Sequence, residues 1–147
     1  MDPECSYLLV IRVLSPVEVS LSRRGWYLDR GYYVYVGSAR IPRPYVRVLR
    51  HFLRGKRKWW HVDHLTSEEC VEVVLGLVLY GVSEDSLYRC LAEAGPFEPA
   101  APGFGASDSR DHLTHLFRFP QGSPDALYGE LGRVVAKLSP RVVELVL

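Results

Sequence analysis

Hydrophobic positions in the first quarter of the chain fall into short runs that polar turns separate. Residues 7–14 (YLLVIRVL) are rich in aliphatic and β-branched side chains, which predicts a strand that ends at Ser15 and Pro16. Residues 17–21 predict a second short strand that returns as a hairpin, and residues 23–25 (RRG) predict a turn. A third strand is expected over residues 31–36 (GYYVYV).

Helical and β patterns alternate in the rest of the chain. A helix is expected over residues 44–53, and a second one, capped by Ser83, is expected to run to residue 94. Residues 70–79 are almost all apolar and predict a buried strand. The remaining segments are predicted as an irregular or extended stretch over 56–64, a loop over 96–105, a strand over 114–119, a helix over 124–137 and a closing strand over 141–147.

This order of elements predicts one mixed α+β domain over residues 1–147. The hydrophobic fraction of 48% supplies one sizeable core, and no apolar run approaches the roughly 20 residues of a membrane-spanning helix.

The N-terminal segment lacks the basic region of a secretory signal, so we expect a cytoplasmic protein without membrane association. The absence of Asn and the single Gln121 favour a heat-adapted source, although a GC-rich genome would also enrich arginine.

Cysteine usage gives no sign of a disulfide framework or a zinc knuckle. Cys5, Cys70 and Cys90 are odd in number, lie far apart and form no CxxC pair. We therefore expect buried free thiols.

Positive charge is concentrated in one short region, although the net charge is only +1. No carboxylate occurs from Arg30 to His61, whereas half of the 18 basic residues fall there. Such a cluster in a nearly neutral protein indicates a site for an anionic partner. The residues expected to bind nucleic acid are Arg40, Arg43, Arg50, Arg54, Lys56, Arg57 and Lys58.

Four of the arginines form a stripe on the helix predicted over residues 44–53 and at its ends. They are spaced at i, i+4, i+7 and i+11, which places them within about 60° of one another on a helix; they are Arg43, Arg47, Arg50 and Arg54. One interpretation is that this stripe binds a phosphate backbone, and the alternative is that it meets acidic side chains of the same protein. The apolar side chains expected to face the core are Tyr45, Val48, Leu49 and Phe52, and the acidic candidates are Glu68, Glu69 and Glu72.

Two neighbouring tryptophans extend the same basic segment. Trp59 and Trp60 follow the sequence KRK, so they add an aromatic surface on which nucleic-acid bases can stack. The alternative is burial in the core, which we expect for at least one of them because tryptophan is mostly buried in proteins.

Five motifs occur in a consistent order across most of the first 120 residues. They are GYYVYVGSA (31–39), RVLRH (47–51), WHVDHL (60–65), GFGASD (103–108) and THLFRF (114–119). With these motifs in this order, the chain resembles members of the GIY-YIG nuclease superfamily. It is most similar to the mostly archaeal branch known as DUF123. The resemblance implies a small antiparallel three-stranded sheet flanked by helices, to which this chain adds strand and helix elements at its C-terminus. In active members it also implies phosphodiester hydrolysis with one divalent metal ion, Mg²⁺ or Mn²⁺.

The same resemblance assigns candidate catalytic residues. Tyr7 matches the tyrosine of the first motif, Tyr35 that of the second, and Gly37 its closing glycine, which would let the backbone turn closely. Arg47 matches the helix arginine that supports the phosphate, and His51, one turn later, can contact the same phosphate. Nearby arginines are expected to favour the tyrosine phenolate and so to lower its pKa, which would help a tyrosine take a proton from the attacking water.

The chain also departs from the pattern of this branch. Cys5-Ser6-Tyr7 stands where the first motif normally opens with a glycine, and Arg89 stands where a glutamate usually precedes the helix cysteine. If that glutamate is the metal ligand, Glu84 or Glu93 on the same helix would have to replace it. The branch tends to have cysteines after Asp108, whereas this chain has Ser109 and Asp111, so a Cys/His metal site is not expected there.

Histidines and aspartates form two further groups. The first comprises His61, Asp63 and His64; the second comprises Asp108, Asp111, His112 and His115. If the groups meet, they can hold a transition metal or Mg²⁺, but for any single histidine a structural role is expected because a metal site needs several ligands. An extended segment would place His61 and Asp63 on one side. The residues expected to support the site are His61, Asp63, Asp108 and His115.

These observations lead to three hypotheses. The first is a nucleic-acid-binding domain, with DNA as the expected form, that cleaves as a metal-dependent endonuclease. The second is a module of the same fold that binds nucleic acid and has lost catalysis. The third is a protein-interaction domain whose arginines meet an acidic partner. The apolar C-terminal segment RVVELVL also suggests a homodimer through an exposed edge strand.

Overall fold

The structure, a computed structural model, describes residues 4–21, 24–106, 111–120 and 122–147. Its elements, in chain order, are β1 (Cys5–Val13), β2 (Val17–Leu21), β3 (Arg24–Leu28), β4 (Gly31–Ser38), α1 (Pro44–Leu49), a 3₁₀ turn (Arg50–Phe52), α2 (His61–Thr66), β5 (Val71–Tyr80), α3 (Glu84–Glu93), β6 (Glu98–Ala100), β7 (Leu116–Phe119), α4 (Pro124–Leu138) and β8 (Val142–Val146). None of the helices in these residues is long and apolar enough to cross a membrane.

The main sheet has six antiparallel strands in the order β6-β7-β4-β1-β5-β8. Strand β1 lies between two partners and is buried at every position except Arg12, which explains its almost uninterrupted apolar sequence. The mixed α+β class is confirmed. The sheet is larger than the three strands expected, because β6, β7 and β8 extend the central strands β4, β1 and β5 on both sides.

Alternating residues of the central strands build two cores. Tyr7, Leu9 and Tyr35 belong to the core that also contains Val48 of α1 and Val62 of α2. On the other face, apolar residues of α3 and α4 cover alternate residues of the same strands, including Leu8, Val10, Val34 and Val36. Within β4, Tyr33 and Tyr35 share one face, and Val34 and Val36 share the other.

Three local predictions from the sequence were wrong. Strand β2 pairs with β3 in a separate two-stranded sheet and not with β1, and Arg24–Leu28 is a strand although a turn was expected to include Arg24 and Gly25. Trp26 is buried, so its packing favours the extended pairing. A short strand, β6, also occupies part of the expected loop over residues 96–105.

Helix α2 replaces the second half of the segment expected to be irregular or extended. Asp63 lies in its first turn, and its carboxylate accepts hydrogen bonds from the backbone N–H groups of Trp59 (2.8 Å) and Trp60 (2.9 Å). These contacts satisfy donors at the start of the helix that would otherwise have no partner inside it. His61 and Asp63 therefore lie on a helix and not on an extended strand.

Helix α1 is shorter than expected and turns fewer residues toward the core. Its close approach to β5 depends on Gly76, where an added Cβ would lie 2.3 Å from Cγ1 of Val48. Within the helix only Pro44 and Val48 are buried, whereas Tyr45 and Leu49 are exposed. The expectation that Tyr45 and Leu49 face the core was wrong, because a six-residue helix contacts the sheet through one turn only.

Candidate active site

A polar cavity of about 200 Å³ lies at the end of the sheet where β1 begins and β4 ends. Helix α1 contributes to it from one face of the sheet, and the first turn of α3 contributes from the other. Four of the five predicted catalytic residues meet here, and His51 is the exception. They are joined by His115, which was expected to support the site, and by Glu84, which was a candidate metal ligand. The lining residues are Tyr7, Tyr35, Gly37, Ser38, Arg47, Trp60, Glu84, Gly105 and His115.

Tyr7 and Gly37 are direct partners across strands β1 and β4. A Cβ atom added to Gly37 would lie 2.3 Å from Cζ of Tyr7, so only glycine leaves room for the phenol ring. Gly37 lies within strand β4. Its contribution is therefore space for Tyr7, and not the close backbone turn that the sequence suggested.

The two tyrosines are buried, at 3% exposure for Tyr7 and 5% for Tyr35, and their ring centroids are 6.3 Å apart. Burial raises the pKa of Tyr7, and the nearby Arg47 guanidinium only partly opposes this shift. Burial also raises the pKa of Tyr35, and the neighbouring Tyr7 and Glu84 raise it further. The expected lowering of the tyrosine pKa was therefore wrong, because removing a phenolate from water outweighs its attraction to the arginine.

Behind the cavity, Tyr7 begins a line of polar contacts that ends at Arg50. The Tyr7 hydroxyl lies 3.2 Å from Nε2 of His51, whose Nδ1 lies 3.5 Å from Oδ1 of Asp63. Nδ1 is buried and makes no hydrogen bond within the described residues, so its interaction with Asp63 is electrostatic. The carboxylate favours the tautomer with the proton on Nδ1, which leaves the Nε2 lone pair facing the Tyr7 hydroxyl.

Charge along this line is set by burial and by Arg50. Burial lowers the pKa of His51 to about 4, so the ring is neutral at physiological pH. Burial opposes the ionisation of Asp63, but hydrogen bonds from Arg50 (2.7 and 3.2 Å) and from two backbone N–H groups outweigh it and lower the pKa of this carboxyl. The predicted site residues His51 and Asp63 therefore lie behind the cavity and not at its wall.

Arg47 is held at the cavity wall by two contacts. Its NH1 group donates a hydrogen bond of 2.9 Å to the carbonyl of Ser38 at the end of β4. The guanidinium carbon lies 5.3 Å from the centre of the Trp60 ring, within the range of a cation–π interaction. Arg47 thus faces the cavity with its side chain already oriented.

The arginine stripe is only partly neutralised by the protein itself. Arg50 forms the ion pair with Asp63, and Arg54 donates to the backbone carbonyl of Glu68 and not to its carboxylate. Between the stripe and Glu68, Glu69 and Glu72, no ion pair occurs in the part of the chain that the structure describes. The basic residues that are exposed at this surface are Arg40, Arg43, Arg54, Arg57 and Lys58.

Lys56 differs from the other basic residues of this region. Its Nζ donates to the carbonyl of Leu53 at 2.6 Å. Burial lowers the pKa of Lys56 to about 8; the Asp63 carboxylate opposes this shift, whereas the surrounding positive charge of Arg50, Arg54 and Lys58 adds to it.

Trp59 and Trp60 are exposed, at 63% and 40%, so the expected burial of at least one of them was wrong. Their rings meet edge to face at 5.9 Å, and the Arg50 guanidinium carbon lies 5.0 Å from the first ring and 4.9 Å from the second. Trp60 also lines the cavity, so the surface formed by Arg50, Trp59 and Trp60 begins at the cavity wall.

Among the described residues, the two groups of histidines and acids do not meet in one cluster. His61 accepts a hydrogen bond of 2.8 Å from the backbone N–H of Gly105, and Asp63 binds Arg50. His112 and His115 instead join the first turn of α3. Asp108 lies outside the described residues.

The second group forms a cluster with Glu84 and Asp85. His112 and His115 are hydrogen-bonded through Nδ1 and Nε2 at 2.8 Å, and Nε2 of His112 lies 2.7 Å from Oδ1 of Asp85. Burial and, to a smaller extent, the neighbouring His112 lower the pKa of His115 to about 4. Burial also raises the pKa of Glu84, which a hydrogen bond from the Ser38 backbone partly opposes.

The departure at Arg89 has no effect on the cavity wall. Arg89 is exposed and forms an ion pair with Asp85 at 2.8 Å. Glu93, also exposed, is not among the residues that line the cavity, whereas Glu84 is. Of the two glutamates considered from the sequence, Glu84 is therefore the one that can hold a metal ion in this cavity.

Sequence reasoning did not place Ser38, Trp60 and Gly105 at the cavity. Gly105 has φ of +70°, and an added Cβ would lie 2.8 Å from the Tyr35 hydroxyl, so this position combines a left-handed backbone with a close contact. The two glycines of the GFG motif were the available signal, because closely spaced glycines often mark such contacts.

Comparison with known protein families matches residues 6–135 to the family described as domain of unknown function DUF123. The match covers most of the chain and includes every residue that lines the cavity. Neither curated proteins nor solved structures give a match. The resemblance to DUF123 is confirmed, and the chain belongs to the DUF123 family.

Proposed function

We propose that this protein binds DNA and hydrolyses its phosphodiester bonds as a metal-dependent endonuclease. The observation that carries the proposal is the convergence of Tyr7, Arg47 and Glu84 on one cavity of about 200 Å³. These side chains come from β1, α1 and α3, which enter the cavity from different directions. A base, a guanidinium and a carboxylate around one small space are the groups that phosphodiester hydrolysis needs.

The scissile phosphate is assigned to the cavity beside Arg47. One N–H group of Arg47 is engaged by Ser38, and the remaining N–H groups can donate to phosphoryl oxygens, where negative charge builds in the transition state. The flanking nucleotides would follow the exposed basic residues Arg57 and Lys58. Trp59 and Trp60 would supply stacking surfaces for unpaired bases.

Tyr7 and His51 provide a route for the proton of the attacking water. The Tyr7 hydroxyl donates toward Nε2 of the neutral His51, so its oxygen can accept a proton while its own proton moves to the imidazole. This arrangement does not require a free phenolate, which the raised pKa of Tyr7 disfavours. Asp63 would stabilise the positive charge that forms on His51.

The residues at the cavity fit a divalent cation. Glu84 is partly buried, lines the cavity and carries the carboxylate oxygens that Mg²⁺ and Mn²⁺ bind. When bound there, such an ion neutralises charge on the phosphoryl oxygens and acidifies a coordinated water. Glu84 is therefore the residue proposed to hold it.

The test is cleavage of flap, bubble, nicked and single-stranded DNA by the purified chain, with Mg²⁺ or Mn²⁺ added. We expect cleavage that EDTA abolishes and that Arg47→Ala reduces by about 10²–10³-fold. Tyr35→Phe is expected to reduce it as well. A protein that cuts none of these substrates contradicts the endonuclease, and cleavage of RNA alone contradicts the assignment to DNA.

A second candidate is a DNA-binding module that does not cleave. The observation that favours it is the burial of Tyr7, whose hydroxyl is already bonded to His51. For this candidate we expect salt-dependent binding through the same basic surface, without products at any metal concentration. The same substrates therefore distinguish the two functions.

A further inference from the structure

We propose that Glu84, His112 and His115 form a binding site for one divalent transition-metal ion, which this site prefers over Mg²⁺. One ligand atom from each residue lies within 4.8 Å of the other two. Two imidazole nitrogens with one carboxylate suit Mn²⁺, Fe²⁺, Co²⁺ or Zn²⁺, whereas Mg²⁺ prefers oxygen ligands alone. The inference rests on the proposed function only in placing this ion at a cavity where phosphate binds.

The two imidazoles are oriented by the surrounding side chains. His112 stacks on Tyr88 with ring centroids 3.9 Å apart and an interplanar angle of 16°. Asp85 lies 2.7 Å from Nε2 of His112 and so favours a proton on that nitrogen. The Nδ1 lone pair then points toward His115, and a carboxylate bound to the other ring nitrogen commonly orients metal-bound histidines in this way.

The two histidines are buried, which separates their ring nitrogens from competing water. Nδ1 of His112 and Nε2 of His115 are 2.8 Å apart, and the latter lies 3.9 Å from Oε1 of Glu84. A tetrahedral ion with bonds of about 2.1 Å holds its ligand atoms about 3.4 Å apart. A small widening of the histidine pair and a small approach of Glu84 would therefore admit the ion.

The site is placed to act on a ligand in the cavity. Glu84 and His115 line the cavity, whereas His112 lies behind them. Three protein ligands leave at least one coordination position for water or a phosphate oxygen, as in catalytic metal sites. The ion would therefore face the same space as Arg47 and Tyr7.

The test is titration of the EDTA-treated full chain with Co²⁺, followed by visible absorption, with Mg²⁺ present in large excess. We expect one equivalent of Co²⁺ to give d–d bands, and His112→Gln and His115→Gln to abolish them. His64→Gln is the matched control, because His64 lies on α2 away from this cluster, and it should leave the titration unchanged.

Asp85→Asn tests the orienting contact in a variant that folds, because Asp85 is exposed. We expect about tenfold to hundredfold weaker Co²⁺ binding in this variant. Circular dichroism of each variant checks that loss of binding is not loss of structure. Absence of the visible bands in the wild type, or equal binding by wild type and the histidine variants, would overturn the proposal and leave a hydrogen-bonded histidine pair only.

The outcomes separate this inference from the proposed function. Specific Co²⁺ binding without cleavage of any substrate supports the metal site and contradicts the endonuclease. Full cleavage with Mg²⁺ by a wild type that gives no Co²⁺ bands supports the endonuclease and contradicts the transition-metal site.

Discussion

The cavity at the start of β1 and the groove between β5, β8 and α4 are both concave, but they are built from opposite kinds of side chain. The cavity, of about 200 Å³, is lined by phenol, guanidinium, carboxylate and imidazole groups. The groove, of about 310 Å³, is lined almost entirely by apolar residues, namely Leu75, Leu77, Tyr128, Leu131, Gly132, Val135, Val143 and Leu145.

The difference shows what each region can do. In the cavity, burial shifts the pKa values of Tyr7, Tyr35, Glu84 and His115, and perturbed ionisable groups in a cleft are typical of a functional site. The groove is lined by aliphatic side chains and one tyrosine, and its apolar surface favours association without directional chemistry. Substitutions in the two regions should therefore affect different measurements.

The largest effect is expected for Tyr7→Phe. This change removes the hydroxyl that bridges the cavity and His51, so the rate of DNA cleavage should fall by about 10²–10⁴-fold in single-turnover assays. Tyr33→Phe is the matched control, because the Tyr33 hydroxyl donates to the Asp29 carbonyl and lies outside the cavity. Equal activity of Tyr7→Phe and wild type would contradict the proton route.

His51→Asn is expected to change how stability depends on pH. The pKa of His51 is about 4 in the folded chain, against about 6.5 when exposed, so between these values only the unfolded state binds the proton. The contribution of His51 should therefore lower the free energy of unfolding by roughly 3 kcal/mol as the pH drops from about 6.5 to about 4. Above pH 6.5 this contribution should stay constant.

Urea unfolding at several pH values between 4 and 8 measures this effect. Within that window, the free energy of unfolding should change less steeply with pH in His51→Asn than in the wild type. The difference in slope should be about 1.4 kcal/mol per pH unit, which corresponds to one proton. An unchanged slope would mean that His51 is protonated in the folded protein, which contradicts its role as a proton acceptor.

A smaller effect is expected for the exposed basic surface. Arg57→Gln combined with Lys58→Gln should weaken DNA binding and reduce the slope of log K against log salt by about 2, because two phosphate contacts are lost. Fluorescence anisotropy at several salt concentrations measures both quantities. Arg133→Gln, at the exposed surface of α4, is the control and should change neither. A double variant with the wild-type slope would contradict the proposed path of the DNA.

The smallest effect on the cavity is expected for Leu145→Lys in the groove. Leu145 is 56% exposed, so stability should change by no more than about 0.5 kcal/mol, and DNA cleavage should not change.

The homodimer suggested by the C-terminal segment stays a prediction, and light scattering of the wild type and of Leu145→Lys tests it. If the homodimer forms through β8, the variant should be monomeric; a wild type that is monomeric at all concentrations would contradict it.

Periodicity and composition were sufficient for the order of most elements. The apolar run of β1 predicted a strand, and that strand is buried at nearly every position. Ser83 predicted a helix start, and its side chain accepts a hydrogen bond from the Ser86 N–H at the start of α3. The prediction failed where a distant contact decided the conformation. Residues 61–66 form a helix in which Asp63 binds Arg50, 13 positions away in the chain. Arg24–Leu28 forms a strand in which Trp26 is buried and donates a hydrogen bond to the carbonyl of Pro102.

For the site, the sequence by itself determined the family, the motif residues and the concentration of positive charge, because these depend on residue type and spacing. Only the tertiary structure decided that Glu84 and not Glu93 reaches the cavity, that His51 lies behind Tyr7, and that burial raises the tyrosine pKa. These features depend on which side chains from different strands and helices meet and on how much water they exclude. Neither quantity is encoded in local spacing, so the chemistry of the cavity emerges only when the sheet and both helix layers are assembled.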